Sequence, residues 1–225
     1  SGDYVFWSNL GDDSDMRLTR SFDFTDVTGP LTLNYWTWYE LETDYDYVYL
    51  LASEDEGKTW QFLITPSGTP EDPTGNSYGW ANTGVSGGGS EPVWIEETVD
   101  ISKFAGKQVQ IRFEYVTDAA VHSEGLLLDD VAILQTGYFS DFEQDDGGWV
   151  AEGWVRMNNI LPQTFRLALI TQGRERNVTY IPVNANGKVE VSLTFDRSVP
   201  EMTLLVSGTT RFTRQEAVYE FWISD

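Results

Sequence analysis

Leu31-Thr32-Leu33-Asn34-Tyr35-Trp36-Thr37-Trp38-Tyr39 carries β-branched and aromatic side chains in two alternating sets. Successive residues of a strand point to opposite faces, whereas a helix repeats its apolar positions at intervals of three and four, so this stretch reads as a strand. Trp36 and Trp38 share one parity and are expected on its buried face. The same signature recurs at Tyr45–Ala52, Val109–Val116, Leu126–Leu134, Phe165–Thr171, Val189–Phe195 and Met202–Ser207, separated by clusters of Gly, Pro, Asn and Asp. No segment holds a long helical period, and Ile101–Ala105, opened by Asp100 as a cap, is a single turn at most. The predicted class is all-β, of the sandwich or jelly-roll kind.

Near Gln135–Tyr138 the apolar strand ending at Leu134 gives way to Thr136 and Gly137, which places a domain boundary there. Residues 1–136 then have the size of a jelly-roll two-sheet sandwich, and residues 137–225 that of a smaller immunoglobulin-like β-sandwich. The long polar loop Pro66–Pro92, with Gly87, Gly88 and Gly89, is expected on the surface.

With 40% hydrophobic and 14% aromatic residues among 225, the chain has ample material for a packed core. It has no cysteine, hence no disulfide, thiolate metal ligand or cysteine nucleophile. No apolar run approaches the roughly 20 residues of a membrane-crossing helix. Ser1-Gly2-Asp3 lacks a basic leader, so an export signal is expected outside these residues. The formal charge of −22 disfavours nucleic acid and anionic membranes as partners. Six basic and 24 acidic residues precede Thr136, against 8 and 12 from there on, so the acidity concentrates in the first part. Either a solvated, solubilising surface or specific work for some of these carboxylates accounts for it.

Ser53-Glu54-Asp55-Glu56-Gly57-Lys58-Thr59-Trp60 matches the S-x-D-x-G-x-T-W pattern of the Asp box. Its chemistry is that of a turn: Asp55 accepts backbone N–H bonds, Gly57 adopts dihedrals other residues avoid, and Trp60 folds back. Sialidases repeat such boxes on propeller blades, but here there is one and no blade-length repeat.

Around it, Tyr35 to Tyr47 precede the box, and Val116-Thr117-Asp118 and Gly125-Leu126-Leu127-Leu128-Asp129-Asp130-Val131 follow it. In this order they resemble the accessory domain of immune inhibitor A-type peptidases, a jelly roll similar to the animal MAM domain, and Trp94–Tyr115 fits the same pattern. Gly147-Gly148-Trp149, Gly153-Trp154-Val155-Arg156, Leu161-Pro162-Gln163 and Ala217-Val218-Tyr219 resemble the terminal module of that family. The resemblance implies a secreted bacterial zinc metallopeptidase as parent, with its catalytic domain in the same polypeptide as the partner of this region. Those peptidases hold zinc with an H-E-x-x-H helix, whereas this chain has a single histidine, His122, so no zinc and no catalytic residue is expected here. No G-x-S-x-G nucleophile elbow accompanies His122 either.

Glu40, Glu42, Asp44 and Asp46 share one parity and would crowd one face of a continuous strand. A hard cation offsets such repulsion, and calcium takes about 6–8 oxygen ligands. Glu42, Asp46 and Asp129, with Asp12, Asp13 and Asp15 of the loop Gly11–Asp15, are the candidate ligands of a structural Ca²⁺ in the first domain. Plain solvated carboxylates and a glycosidase pair are the alternatives. Trp80 and Tyr78, among Asn76 and Asn82 in the Gly-rich loop, have the setting of a protein- or glycan-substrate contact, or of a loop anchor. The expected role is therefore a non-catalytic, calcium-stabilised appendage that supports a protease or positions its substrate. A carbohydrate- or surface-binding module of another exported protein is the alternative.

Overall fold

The structure, a computed structural model, describes residues 1–158, 163–184, 187–194, 200–210 and 216–223. Its strands are β1 (Tyr4–Trp7), β2 (Asp15–Asp23), β3 (Thr32–Glu40), β4 (Tyr47–Ser53), β5 (Gln61–Phe62), β6 (Ile95–Asp100), β7 (Gln108–Val116), β8 (Gly125–Ile133), β9 (Tyr138–Ser140), β10 (Val150–Glu152), β11 (Val155–Asn158), β12 (Phe165–Gln172), β13 (Arg176–Ile181) and β14 (Glu201–Gly208). The fold is all-β. Two short 3₁₀ turns, Ser102–Phe104 and Leu134–Thr136, interrupt the strands, the first preceded by Asp100, whose carboxylate accepts the Ser102 N–H. Among the described residues no helix is long and apolar enough to cross a membrane.

The chain divides into two compact units, Ser1–Asn159 and Ile160–Asp225. In the first, sheet one runs β11-β1-β8-β3-β6, with β9 also on β8, and sheet two runs β10-β2-β7-β4-β5; every strand pairing is antiparallel. Inward positions alternate along the strands, as Val109, Ile111, Phe113 and Tyr115 do on β7. Tyr35 of sheet one meets Phe113 of sheet two edge to face at 5.1 Å, so the core lies between the sheets.

Three expectations change. On β3 the inward set is Leu33, Tyr35, Thr37 and Tyr39; Trp36 is 39% exposed and Trp38 half-buried, so the tryptophan parity is the outer one. The polar Thr37 takes the inner row because its hydroxyl donates to the Leu127 carbonyl at 2.9 Å.

The break between units falls after Asn159, not at Thr136. Gly137, left-handed at φ 73°, closes a turn that sends β9 back along β8, while β10 pairs with β2 and β11 with β1. Trp149, Trp154 and Phe142, residues assigned from the sequence to the second domain, are buried in the first core. The Trp154 indole donates to the Met16 carbonyl at 3.1 Å. Gly153 makes that approach possible: at φ 90°, a Cβ there would lie 2.6 Å from Met16 Cγ.

The Pro66–Pro92 loop is not wholly a surface loop. Every residue of β4 is buried, because its outer row of Tyr47, Tyr49 and Leu51 packs against Ala81, and Asn82 bridges back to Val48. In the second unit the described strands form one antiparallel sheet, β13-β12-β14. Residues 189–194 of the strand expected at Val189–Phe195 are not in a strand, and Phe195 lies outside the described residues, as do Leu161 and Pro162.

Candidate metal centre

The acidic segment after β3 is a turn rather than a continued strand. Tyr45 N and Asp46 N both donate to the Glu42 carbonyl, and Asp44 sits at φ 67°, so the chain reverses and enters β4 at Tyr47. Tyr47 pairs with Val116, the last residue of β7, which sets Asp46 beside Thr117 and Asp118. Carboxylate oxygens of Glu42, Asp46 and Asp118 all lie within 4.8 Å of one another.

Asp46 has 0% of its surface exposed. Its Oδ2 accepts the Tyr115 hydroxyl at 3.1 Å and its Oδ1 the Asp118 N–H at 3.0 Å. Burial pushes its pKa up to about 6, with the Glu42 and Asp118 charges adding to the rise against these two hydrogen bonds. Burial and the Asp46 charge likewise hold the Tyr115 hydroxyl in its neutral form. Glu42 Oε2 is buried and has no hydrogen-bond partner. Among the described residues no Lys or Arg forms an ion pair with any of the three. Three carboxylates, an orphaned oxygen and no imidazole or thiolate make a donor set for a hard, oxygen-seeking cation, not for zinc.

Of the ligands expected from the sequence, Glu42 and Asp46 come together, and Asp118, not among them, completes the group. The Gly11–Asp15 loop reaches the same end through its backbone: Asp13 N donates to the Asp118 carbonyl at 2.5 Å, and Thr117 Oγ1 to the Gly11 carbonyl at 2.7 Å. Its carboxylates go elsewhere. Asp12 bonds His122 Nδ1 at 2.6 Å, Asp15 bonds Arg17 Nε at 3.1 Å, and Asp13 is not part of the three-carboxylate group.

Asp129 is removed by register. It pairs with Trp36 in mid-strand, four residues from Gly125, which pairs with Glu40; at about 3.3 Å per residue that is roughly 13 Å along β8. There its Oδ2 accepts the Ser1 amino group at 2.6 Å, and burial raises its pKa. Trp80 donates its indole N–H to the Thr65 carbonyl at 3.2 Å as a loop anchor. Tyr78 is 69% exposed and stacks on Tyr49 at 5.7 Å. The signal for Asp118 was its place two residues beyond a strand end, legible only once β4 and β7 are known to pair.

The family profile described as "Immune inhibitor A-like, MAM domain" matches residues 1–159, the extent of the first compact unit. "Pre-pro-metalloprotease PrtV" of Vibrio cholerae serotype O1 (strain M66-2) is 33% identical over 136 residues, 60% of this chain and 14% of that protein. "Immune inhibitor A" of Bacillus thuringiensis subsp. alesti is 31% identical over 157 residues, 68% of this chain and 21% of that protein. "Bacillopeptidase F" of Bacillus subtilis (strain 168) is 26% identical over 137 residues, 59% of this chain and 8% of that protein. The chain thus spans at most about a fifth of the length of these relatives.

Proposed function

The chain belongs to the immune inhibitor A-like MAM domain family, and from that membership we propose that it is a non-catalytic accessory region of a larger secreted zinc metalloprotease, stabilised by one Ca²⁺. The catalytic domain of the same polypeptide is its partner. A single histidine and no cysteine leave no donors for a catalytic zinc, which supports assigning hydrolysis to residues outside this chain.

The orphaned, buried Glu42 Oε2 beside the fully buried Asp46 carries the calcium reading. Leaving carboxylates so close and out of water without a cation costs free energy through desolvation and mutual repulsion. Glu42, Asp46 and Asp118 would hold the ion, and in doing so pin the 42–46 turn to the end of β7 and, through Asp118, to the Gly11–Asp15 loop. The role that follows is mechanical: a rigid β-sandwich whose loops at one end are locked by metal, supporting the protease fold or holding a macromolecular substrate near its cleft. The parent protease with and without residues 1–225, assayed on a short peptide and on casein, tests this. Loss on casein alone indicates substrate positioning and loss on both indicates folding support, whereas no change in either rejects the accessory role.

A further inference from the structure

The outer face of sheet two carries a cleft that calcium does not use. Register puts Arg17 opposite Glu114 and Glu114 opposite Tyr49 in one cross-strand row, with Thr19, Arg112, Leu51 and Phe62 in the next. Their neighbours Leu18, Phe113 and Leu50 point into the core, so these rows face outward. The Pro66–Pro92 loop covers only part of this face. What remains open is a cleft of about 380 Å³ with an aromatic wall and a polar floor.

The wall is held in place. Tyr78 lies nearly parallel to Tyr49 at 18°, and its backbone N–H donates to the Tyr49 hydroxyl at 2.9 Å. Trp60 donates its indole N–H to the Gly57 carbonyl at 3.1 Å, and the Arg112 guanidinium lies 3.9 Å from its ring centre. Ordering an aromatic ring that stays 69% exposed, as Tyr78 does, gains little from burial in the free protein. The floor is equally fixed: Arg112 donates to Thr19 Oγ1 at 2.9 Å and to Glu114 Oε2 at 3.2 Å, and Arg17 Nε stands 3.7 Å from that same carboxylate oxygen.

These charges compensate one another within a chain of net charge −22. A charged ligand would have to break pairs already made, whereas a neutral molecule with an apolar face and a hydroxyl edge uses the cleft as it stands. A pyranose ring has that shape, and the volume lies at the low end of the roughly 300–1,000 Å³ typical of small-ligand sites, enough for one or two rings. We propose that the cleft binds a neutral glycan, its C–H face on Tyr78 and its hydroxyls toward Arg112 and Glu114.

The test is isothermal titration of the chain with cellohexaose, laminarihexaose, mannohexaose and chitohexaose, with hexalysine as the charged comparator. At least one hexasaccharide should bind with a Kd of about 10 μM to 1 mM, as few-ring contacts allow. Tyr78→Ala should weaken binding about tenfold or more, since it removes the stacking surface. Melting should not change, because that ring is on the surface. Trp36→Ala, an exposed tryptophan on the other sheet, should bind as the parent chain does. No binding by any hexasaccharide at about 10 mM, where even a Kd in that range would register, overturns the proposal. So does binding indifferent to Tyr78→Ala, or capture of hexalysine alone. None of these outcomes bears on the calcium centre.

Discussion

Asp46 and Asp118 meet at the open end of the β4–β7 ladder, where the Asp118 N–H donates to Asp46 Oδ1 at 3.0 Å while both carboxylates face Glu42. A backbone donor to one oxygen and the Tyr115 hydroxyl to the other leave Asp46 well bonded yet still short of a counter-charge. Its burial and its two acidic neighbours therefore set the chemistry of this end of the sandwich.

The pH dependence follows from that burial. Asp46 has its folded pKa raised to about 6, above the unfolded value of 3.8. Its contribution to stability is thus fully present below about pH 4 and is lost as pH rises through 6. In EDTA, urea melts should show the native chain gaining on Asp46→Asn as pH falls from 7.5 to 5. With excess calcium the ordering at pH 7.5 should reverse in favour of the native chain, because the ion stabilises the charged form. A stability gap independent of pH would mean that Asp46 is already neutralised by something else.

The unit boundary is tested by cutting. A fragment ending at Thr136 loses β9, β10 and β11 together with the buried Trp149 and Trp154, and should not melt cooperatively. A fragment ending at Asn158 should fold and melt in one transition. Within it Trp154→Ala should cost about 3–5 kcal/mol, the range for emptying a large aromatic site. Gly153→Ala should cost about 1–3 kcal/mol from left-handed strain alone. Denaturant midpoints read both. A stable 1–136 fragment would return the boundary to Thr136.

How much of this was legible follows from where each signal lives. Strand character is local, so β3, β4, β7, β8, β12 and β14 were readable from alternation alone. β1, β9, β10 and β11 are three or four residues each, too short for a period to declare itself. They are strands because neighbours offer an edge. The Trp36/Trp38 parity failed because two tryptophans outweigh Thr37 in hydrophobicity, whereas packing chose the row whose hydroxyl had a carbonyl to bond. Glu42 and Asp46 were found by charge crowding, which is also local. Asp118 enters through a pairing 70 residues away along the chain, and Asp129 leaves by register; neither distance is written in spacing.

Hydrolysis is expected to lie entirely outside these residues. Purified chain should leave casein and chromogenic glycosides intact. Turnover abolished by Glu42→Gln or by His122→Ala would place chemistry here after all.

Calorimetric titration of EDTA-stripped chain with CaCl₂ tests the metal-locked sandwich most directly. One Ca²⁺ should bind per chain, and saturation at about 100 times Kd should add about 2.7 kcal/mol of stability. For a chain of this size that is a rise in melting temperature of roughly 5–10 °C. Glu42→Gln and Asp118→Asn should each weaken binding at least about tenfold, as expected for removing one of three charged ligands. No heat of binding, together with identical melts in EDTA and in excess calcium, would contradict it.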